Sequence, residues 1–122
     1  MNKNEDTIEK YFSAWKNQNV SNLGEIFTQD AHYIVRPFGL EKYVGLEAIV
    51  KYWQDNSVSK QVDPNPYIIT KVIHNDTAFI EWQCDYKNQE QEPKQMRGMM
   101  VLEFKDGLIM ELREHYESQK SP

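Results

Sequence analysis

Four polar residues of this sequence carry side chains suited to acid–base chemistry without a cofactor: Tyr11, His32, Arg36 and Glu114. A tyrosine hydroxyl can donate a hydrogen bond to a ligand oxygen, an arginine can bind a carboxylate or an oxyanion, and a glutamate can move a proton. Because these residues are far apart in the sequence, any joint chemistry depends on the elements that bring them together.

Metal and covalent chemistry receive less support from the residue types. The histidines His32, His74 and His115 lack the spacing of metal ligands, and Cys84 has no cysteine partner, so we expect no metal site. An apolar strand face around Cys84 would raise the pKa of its thiol, which disfavours a nucleophile. The glycine-rich phosphate-binding motifs are absent, so the sequence implies no nucleotide cofactor.

Length and charge limit the classes of partner. A chain of 122 residues fits a single domain, expected to span residues 1–122. The net charge of −5, without a basic cluster, argues against nucleic acid and against an anionic membrane surface. The sequence has one cysteine and neither a signal-like nor a membrane-length apolar run, so we expect a cytoplasmic protein.

Three segments show the apolar spacing of helices. In residues 6–18 the apolar side chains recur at i, i+3, i+4 and i+7, and a second, shorter helix is predicted after Ser21. The third predicted helix is "GLEAIVKYW", residues 45–53. Its Trp53 either fills a core or lines a pocket, and the sequence leaves both interpretations open.

The rest of the chain is rich in β-forming residues. "HYIVRPF" predicts one strand, and "YIITKVIH", "TAFIEWQCDY", "QMRGMMVLEF" and "LIMELREHY" predict four more. The connectors around Asn75-Asp76 and Asp106-Gly107 suit tight hairpins, so the late strands form an antiparallel meander. The order α-α-β-α-β-β-β-β indicates an α+β fold, with helices packed on one face of a curved antiparallel sheet.

Alternation along the predicted strands groups the side chains by face. On "TAFIEWQCDY" the more apolar set is expected to face inward: Ala78, Ile80, Trp82, Cys84 and Tyr86. On the last strand, Glu114 shares a face with Leu112 and Tyr116. If Arg36 also points inward, together with His32, this buried cation needs an anion, and Glu114 is the candidate partner.

The order of these motifs resembles the nuclear transport factor 2-like superfamily, in particular its SnoaL-like branch. The resemblance rests on "YFSAW", "IFTQDAHYIVRPF", "GLEAIVKYW" and "MVLEFKDGLIMELREHY", which extend over nearly the whole chain. It implies a cone-shaped sheet wrapped around three N-terminal helices, with a pocket at the open end. It also implies that the face of the last strand with Leu112, Glu114 and Tyr116 lines this pocket. Members of the superfamily include isomerases, cyclases, dehydratases, epoxide hydrolases and non-catalytic proteins, and many form homodimers through the sheet.

The ketosteroid isomerases of this superfamily suggest where catalytic groups would lie. Their oxyanion-binding tyrosine corresponds to Tyr11, whereas the base before the proline corresponds to Arg36, which precedes Pro37. Their second acid corresponds to Met100. Because arginine keeps its proton at neutral pH and methionine donates no hydrogen bond, that isomerase route is not expected here.

Two functions therefore remain open. The first is binding of a small, mostly apolar organic molecule, with cofactor-free isomerase-, cyclase- or dehydratase-like chemistry by Tyr11, His32, Arg36 and Glu114. The second is a non-catalytic dimeric binding or interaction module whose cavity is closed or passive. In either case the aromatic and methionine side chains expected to line the pocket are Trp15, Phe38, Trp53, Trp82, Met100 and Tyr116.

Overall fold

The structure is a computed structural model that describes residues 2–36, 38–39, 41–55 and 58–122. These described ranges contain two α-helices, two short 3₁₀ segments and six β-strands. The helices are α1 (Lys3–Asn17) and α2 (Leu46–Asp55), and the 3₁₀ segments are Val20–Glu25 and Val58–Lys60. The strands are β1 (Phe27–Val35), β2 (Glu41–Val44), β3 (Val62–His74), β4 (Thr77–Lys87), β5 (Pro93–Lys105) and β6 (Leu108–Lys120).

Helix α1 buries the apolar stripe expected from its spacing, formed by Ile8, Tyr11, Phe12 and Trp15. It begins earlier than predicted, because the side chain of Asn2 accepts a hydrogen bond from the backbone N–H of Asn4 at 2.7 Å. The stripe places one phenol and one indole of α1 inside the sheet, where they can contribute to a site.

The strands form one curved, unclosed sheet in the order β2-β1-β6-β5-β4-β3. Strands β3 to β6 form the predicted antiparallel meander, and β1 joins it by parallel pairing with β6. The α+β class and the curved sheet packed against helices are therefore confirmed. In the register of this parallel pair, Val35 of β1 lies opposite Glu114 of β6.

Three local predictions were inaccurate. The predicted second helix is a single 3₁₀ segment. The segment between the first strand and α2 contains β2, a strand that the sequence did not predict and that pairs antiparallel with β1. Strand β3 begins at Val62 and includes Pro64 and Pro66, because an edge strand tolerates proline on its unpaired side. Pro37, where the sequence predicts the first strand to stop, lies outside the described residues.

The inner face of the sheet and the helices enclose the core. On β4 the inward residues Ala78, Ile80, Trp82 and Cys84 are buried, as alternation predicts. On β5 the inward residues include Gly98 and Met100. Within the described residues, no helix has the length and apolar character needed to cross a membrane.

Candidate functional site

Glu114 is the most unusual ionisable group of the interior. It lies on the inward face of β6, and only 8% of its surface is exposed. Burial raises the pKa of its carboxyl to about 7; a hydrogen bond from Tyr33 acts in the opposite direction, and the negative charge of Glu41 adds to the rise. Glu114 can therefore take up or release a proton near neutral pH.

Two tyrosines form a hydrogen-bonded chain to this carboxyl. The hydroxyl of Tyr33 donates to Oε2 of Glu114 at 3.1 Å, and the hydroxyl oxygens of Tyr11 and Tyr33 are 3.3 Å apart. Because the single hydroxyl proton of Tyr33 is directed to Glu114, Tyr11 donates to Tyr33 in this arrangement. The chain links helix α1, strand β1 and strand β6.

Both phenols keep their protons at neutral pH. Burial, followed by the nearby charge of Glu114, raises the pKa of Tyr11 and of Tyr33 well above the usual tyrosine value. Glu114 is thus the member of the chain that changes its protonation state near pH 7, and the tyrosines act as hydrogen-bond donors.

A small hollow of about 20 Å³ adjoins this chain. That volume accommodates one water molecule, since a water needs about 10–15 Å³ by this measure. The hollow is bordered mainly by aromatic side chains, with few other residues: Tyr11, Trp15, Tyr33, Trp53, Val58, Gln61, Trp82, Met96, Glu114 and Tyr116.

The indoles around the hollow differ in their hydrogen bonding. Nε1 of Trp15 donates to Oε1 of Gln61 at 2.7 Å. Nε1 of Trp53 and Nε1 of Trp82 are buried and have no acceptor among the described residues. A buried N–H without an acceptor destabilises the fold by about 1–3 kcal/mol, and an acceptor atom within reach of either donor would remove that cost.

Gly98 explains how Trp82 reaches its place. Trp82 pairs with Gly98 across β4 and β5, and Gly98 pairs with Tyr116 of β6. A Cβ atom at position 98 would lie 2.6 Å from the carbonyl oxygen of His115 and 2.8 Å from Cζ2 of Trp82. The absence of a side chain at Gly98 thus lets the indole lie directly against β5, where its edge packs on Trp15 with ring centres 4.9 Å apart.

The predicted pair of Arg36 and Glu114 does not form. Nη2 of Arg36 is 3.4 Å from Oε1 of Glu41, and its side chain is about half exposed. Its link to Glu114 is through the backbone, where the N–H of Arg36 donates to the carbonyl oxygen of Glu114 at 2.7 Å. The inward partner of the Glu114 carboxyl is Tyr33 instead.

Two further predictions, for His32 and Phe38, also failed. Nδ1 of His32 is 3.8 Å from Oε1 of Glu111, which is on the opposite side of β6 from Glu114. Phe38 is 94% exposed and does not border the hollow. The error on β1 was one residue of register, because Ala31, Tyr33 and Val35 point inward rather than His32 and its neighbours.

Six of the seven remaining predicted residues border the hollow, and Met100 does not. Tyr11, Trp15, Trp53, Trp82, Tyr116 and Glu114 all border the hollow. Trp53 is also 99% buried, so it belongs to the core and lines the hollow at once. Met100 is buried in the core away from the hollow, and the methionine that borders it is Met96, on the same face of β5.

The sequence interpretation missed Tyr33 and Gln61. For Tyr33 a signal existed: choosing Ala31, Tyr33 and Val35 as the buried set leaves the polar side chains of His32 and Arg36 in water. For Gln61 we find no signal, since it lies just before β3 and is placed by hydrogen bonds with Trp15 and Gln18.

The structure gives no sign of metal or thiol chemistry in the part of the chain it describes. No group of three or more His, Cys, Asp or Glu side chains comes together there as metal ligands. Burial raises the pKa of the Cys84 thiol to about 12, so the thiolate is scarce at neutral pH.

Comparison with known proteins identifies a family for this sequence. The model of the SnoaL-like domain family matches residues 8–112. No curated protein sequence matches the chain significantly.

Solved structures share this architecture at low identity. A proposed isomerase from Bacillus subtilis superposes with a TM-score of 0.81 at 23% identity, over 96% of this chain and 90% of that one. A proposed SnoaL-like polyketide cyclase from Shewanella putrefaciens gives 0.79 at 13% identity, over 95% and 90%.

A third structure contains a small ligand. A hypothetical protein of ketosteroid isomerase-like fold from Catenulispora acidiphila, in complex with trimethylamine, gives a TM-score of 0.76 at 18% identity, over 88% and 82% of the two chains. Identities this low establish a common fold, and the activity must be argued from the residues of this chain.

Proposed function

Because the chain belongs to the SnoaL-like domain family, we propose that it binds a small organic molecule and moves a proton on it without a cofactor, with Glu114 as the acid–base group. The observation that carries this proposal is the buried carboxyl of Glu114, whose pKa is raised to about 7. General acid–base catalysis is most effective when the pKa of the catalytic group lies near the working pH.

The two tyrosines have a supporting role in this proposal. Tyr33 donates to Glu114 and thereby favours its charged form, the form that accepts a proton. Tyr11 borders the hollow, and its hydroxyl donates to Tyr33, which in turn donates to Glu114. Arg36 and His32 are left out of the mechanism because they lie on exposed parts of the molecule.

The related structures support a small organic ligand in general terms. They include a proposed isomerase, a proposed polyketide cyclase and a complex with trimethylamine. The varied descriptions fit a fold that presents one interior site to different chemistries. Our proposal for this chain is accordingly a reaction class, proton transfer, without a named substrate.

A passive binding module is the second candidate, and the size of the hollow favours it. Ligand pockets commonly measure about 300–1,000 Å³, whereas the hollow is about 20 Å³. In this alternative Glu114 and the tyrosines are a buried polar network that specifies the packing of the core.

The test is proton exchange on small carbonyl compounds in D₂O, followed by NMR as a function of pH. Catalysis by Glu114 should appear with an apparent pKa near 7 and disappear in Glu114→Gln. The control Glu117→Gln makes the same change on an exposed residue of the same strand, so it should leave the rate unaltered. If no compound exchanges, or if both variants behave alike, the passive module is the better description.

Tyr33→Phe adds a signature that a purely structural role does not give. Its hydrogen bond lowers the pKa of Glu114, so removing the hydroxyl should move the midpoint of the pH profile upward. A midpoint that stays in place or moves downward would separate Glu114 from the observed activity.

We also propose a homodimer formed through the outer face of the sheet. Phe79 and Met99 are 49% and 63% exposed there, and Val72 lies opposite Phe79 on the neighbouring strand. The same face carries Arg97 and Glu81, so two copies related by a two-fold axis can match apolar with apolar and opposite charges with each other.

Sedimentation velocity tests this dimer. Phe79→Lys should shift the wild-type chain from dimer to monomer, while Lys51→Glu on the exposed side of α2 should not. A wild-type chain that stays monomeric over the accessible concentration range contradicts the proposal.

A further inference from the structure

The hollow has a larger neighbour toward the surface. A vestibule of about 360 Å³ is bordered by Lys60, Tyr86, Asn88 and Gln89, among others. The hollow and the vestibule share the border residues Gln61, Met96 and Tyr116. These three side chains therefore contact both spaces.

The shared residues differ in how firmly they are held. Gln61 accepts from Nε1 of Trp15 at 2.7 Å, and Tyr116 has a hydrogen bond with Tyr52. Met96 has no polar anchor by its chemistry, is only partly buried, and has an unbranched side chain that changes rotamer easily. Of the three, Met96 is the side chain that can move at the smallest energetic cost.

The inner end of this path offers hydrogen-bond donors. Trp53 and Trp82 border the hollow, and their buried indole N–H groups have no acceptor among the described residues. An ammonium group cannot accept from an N–H, whereas a ligand oxygen can. The vestibule, by contrast, is bordered by amide and charged side chains that suit a partly polar ligand body.

From these features we propose that Met96 is the door between the vestibule and the hollow, and that the channel it closes takes an uncharged molecule whose terminal oxygen accepts hydrogen bonds from Trp53 and Trp82. This ligand class rests on the proposed function, since it places the oxygen beside Glu114. Met96 is thereby a specificity-determining residue, and its bulk sets which ligands reach the carboxyl.

Tryptophan fluorescence reads the door directly. The sequence has three tryptophans, and Trp15, Trp53 and Trp82 all border the hollow. Met96→Ala should give a severalfold rise in quenching by acrylamide. Met100→Ala is the matched control, because it makes the same change on the same face of β5 at a buried residue that borders neither space.

A second variant tests the proposal even if Met96→Ala fails to fold. Met96→Leu keeps the bulk but is branched and stiffer, so its quenching should equal or fall below that of the wild type. The role of Met96 as the door is contradicted if Met96→Ala and Met100→Ala are quenched equally, or if Met96→Leu is quenched more strongly than the wild type.

The ligand class is tested with three molecules that share one ring: cyclohexanone, methylcyclohexane and cyclohexylamine. Binding is followed by the emission shift of the tryptophans in the wild type and in Met96→Ala. We expect cyclohexanone to bind, severalfold more tightly to Met96→Ala, and the other two to bind weakly. Preference for the amine indicates a cation site on the ring faces, and equal binding of all three indicates simple apolar filling; both contradict the proposal.

These readouts need no turnover, so they separate the two proposals. A quenching result against the door leaves the acid–base role of Glu114 intact. A Glu114 that does not titrate near pH 7 removes the proposed catalysis while the Met96 measurements still stand.

Discussion

Arg113 and Glu114 are neighbours on β6 and experience opposite environments. Glu114 points inward, where burial raises the pKa of its carboxyl to about 7. Arg113 points outward, bonds to Glu103 and Glu111, and lowers the pKa of Glu103, mainly through its hydrogen bond. Successive side chains of a strand point to opposite faces of the sheet, so Glu114 lies in the protein interior and Arg113 lies near water. The interior acid has a raised pKa, whereas the surface arginine pairs with carboxylates.

Aromatic residues on the two faces give the largest expected contrast. Trp82→Ala removes a fully buried indole and should destabilise the fold by about 3–5 kcal/mol. Phe79→Ala, three residues earlier on the outer face, should cost about 1 kcal/mol, since nearly half of that residue is exposed. Urea unfolding at a concentration where the chain is monomeric measures both, and equal losses would mean that the outer face is as well packed as the inner.

The pH dependence of stability comes next in size. The folded pKa of Glu114 is raised above its unfolded value of about 4.5, so its contribution is complete below pH 4.5 and is lost as pH rises through about 7. The full effect is of order 3 kcal/mol. Glu103 acts in the opposite sense, because its lowered pKa gives stability that is lost as pH falls.

Comparing wild type with Glu114→Gln isolates this effect. The difference between their unfolding free energies should change with pH between about 4.5 and 7 and be flat on either side. The control Glu103→Gln should keep the wild-type dependence in that window. A difference that does not vary with pH would place the Glu114 carboxyl in contact with water.

Gly98 gives the third contrast. In Gly98→Ala the new Cβ meets backbone and the Trp82 ring at under 3.0 Å, so we expect a loss of about 1–3 kcal/mol from overpacking. Gly24→Ala is the control, since its Cβ would meet Leu46 at an ordinary 3.7 Å. Thermal unfolding distinguishes them, and a tolerated Gly98→Ala would show that Trp82 moves aside freely.

The smallest effect is expected on the outer face. Arg113→Met removes ion pairs whose side chains are partly exposed, and such pairs contribute about 0–1 kcal/mol. Unfolding at low and high salt measures it, and the loss should shrink as salt rises. A large loss that ignores salt would show that this cluster is buried in an assembly.

The comparison of faces also shows how far the sequence could be interpreted. On β6 alternation separated Glu114 from Arg113, and the family resemblance assigned the face of Glu114 inward. On β4 the contrast between apolar and polar residues assigned Trp82 inward. On β1 the same rule failed, since His32, Tyr33, Ile34 and Val35 give no clear contrast. The misplaced register hid Tyr33 and led to an Arg36–Glu114 pair that does not form.

What the sequence by itself determined was the set of elements. These are an amphipathic first helix, the helix predicted at residues 45–53 and a meander of late strands, each defined by the local spacing of apolar residues. The tertiary structure decided the site. Parallel pairing of β1 with β6 brings Tyr33 to Glu114, although these residues are 81 positions apart. Burial then sets the protonation behaviour of Glu114, since the free energy of a charge depends on the medium around it.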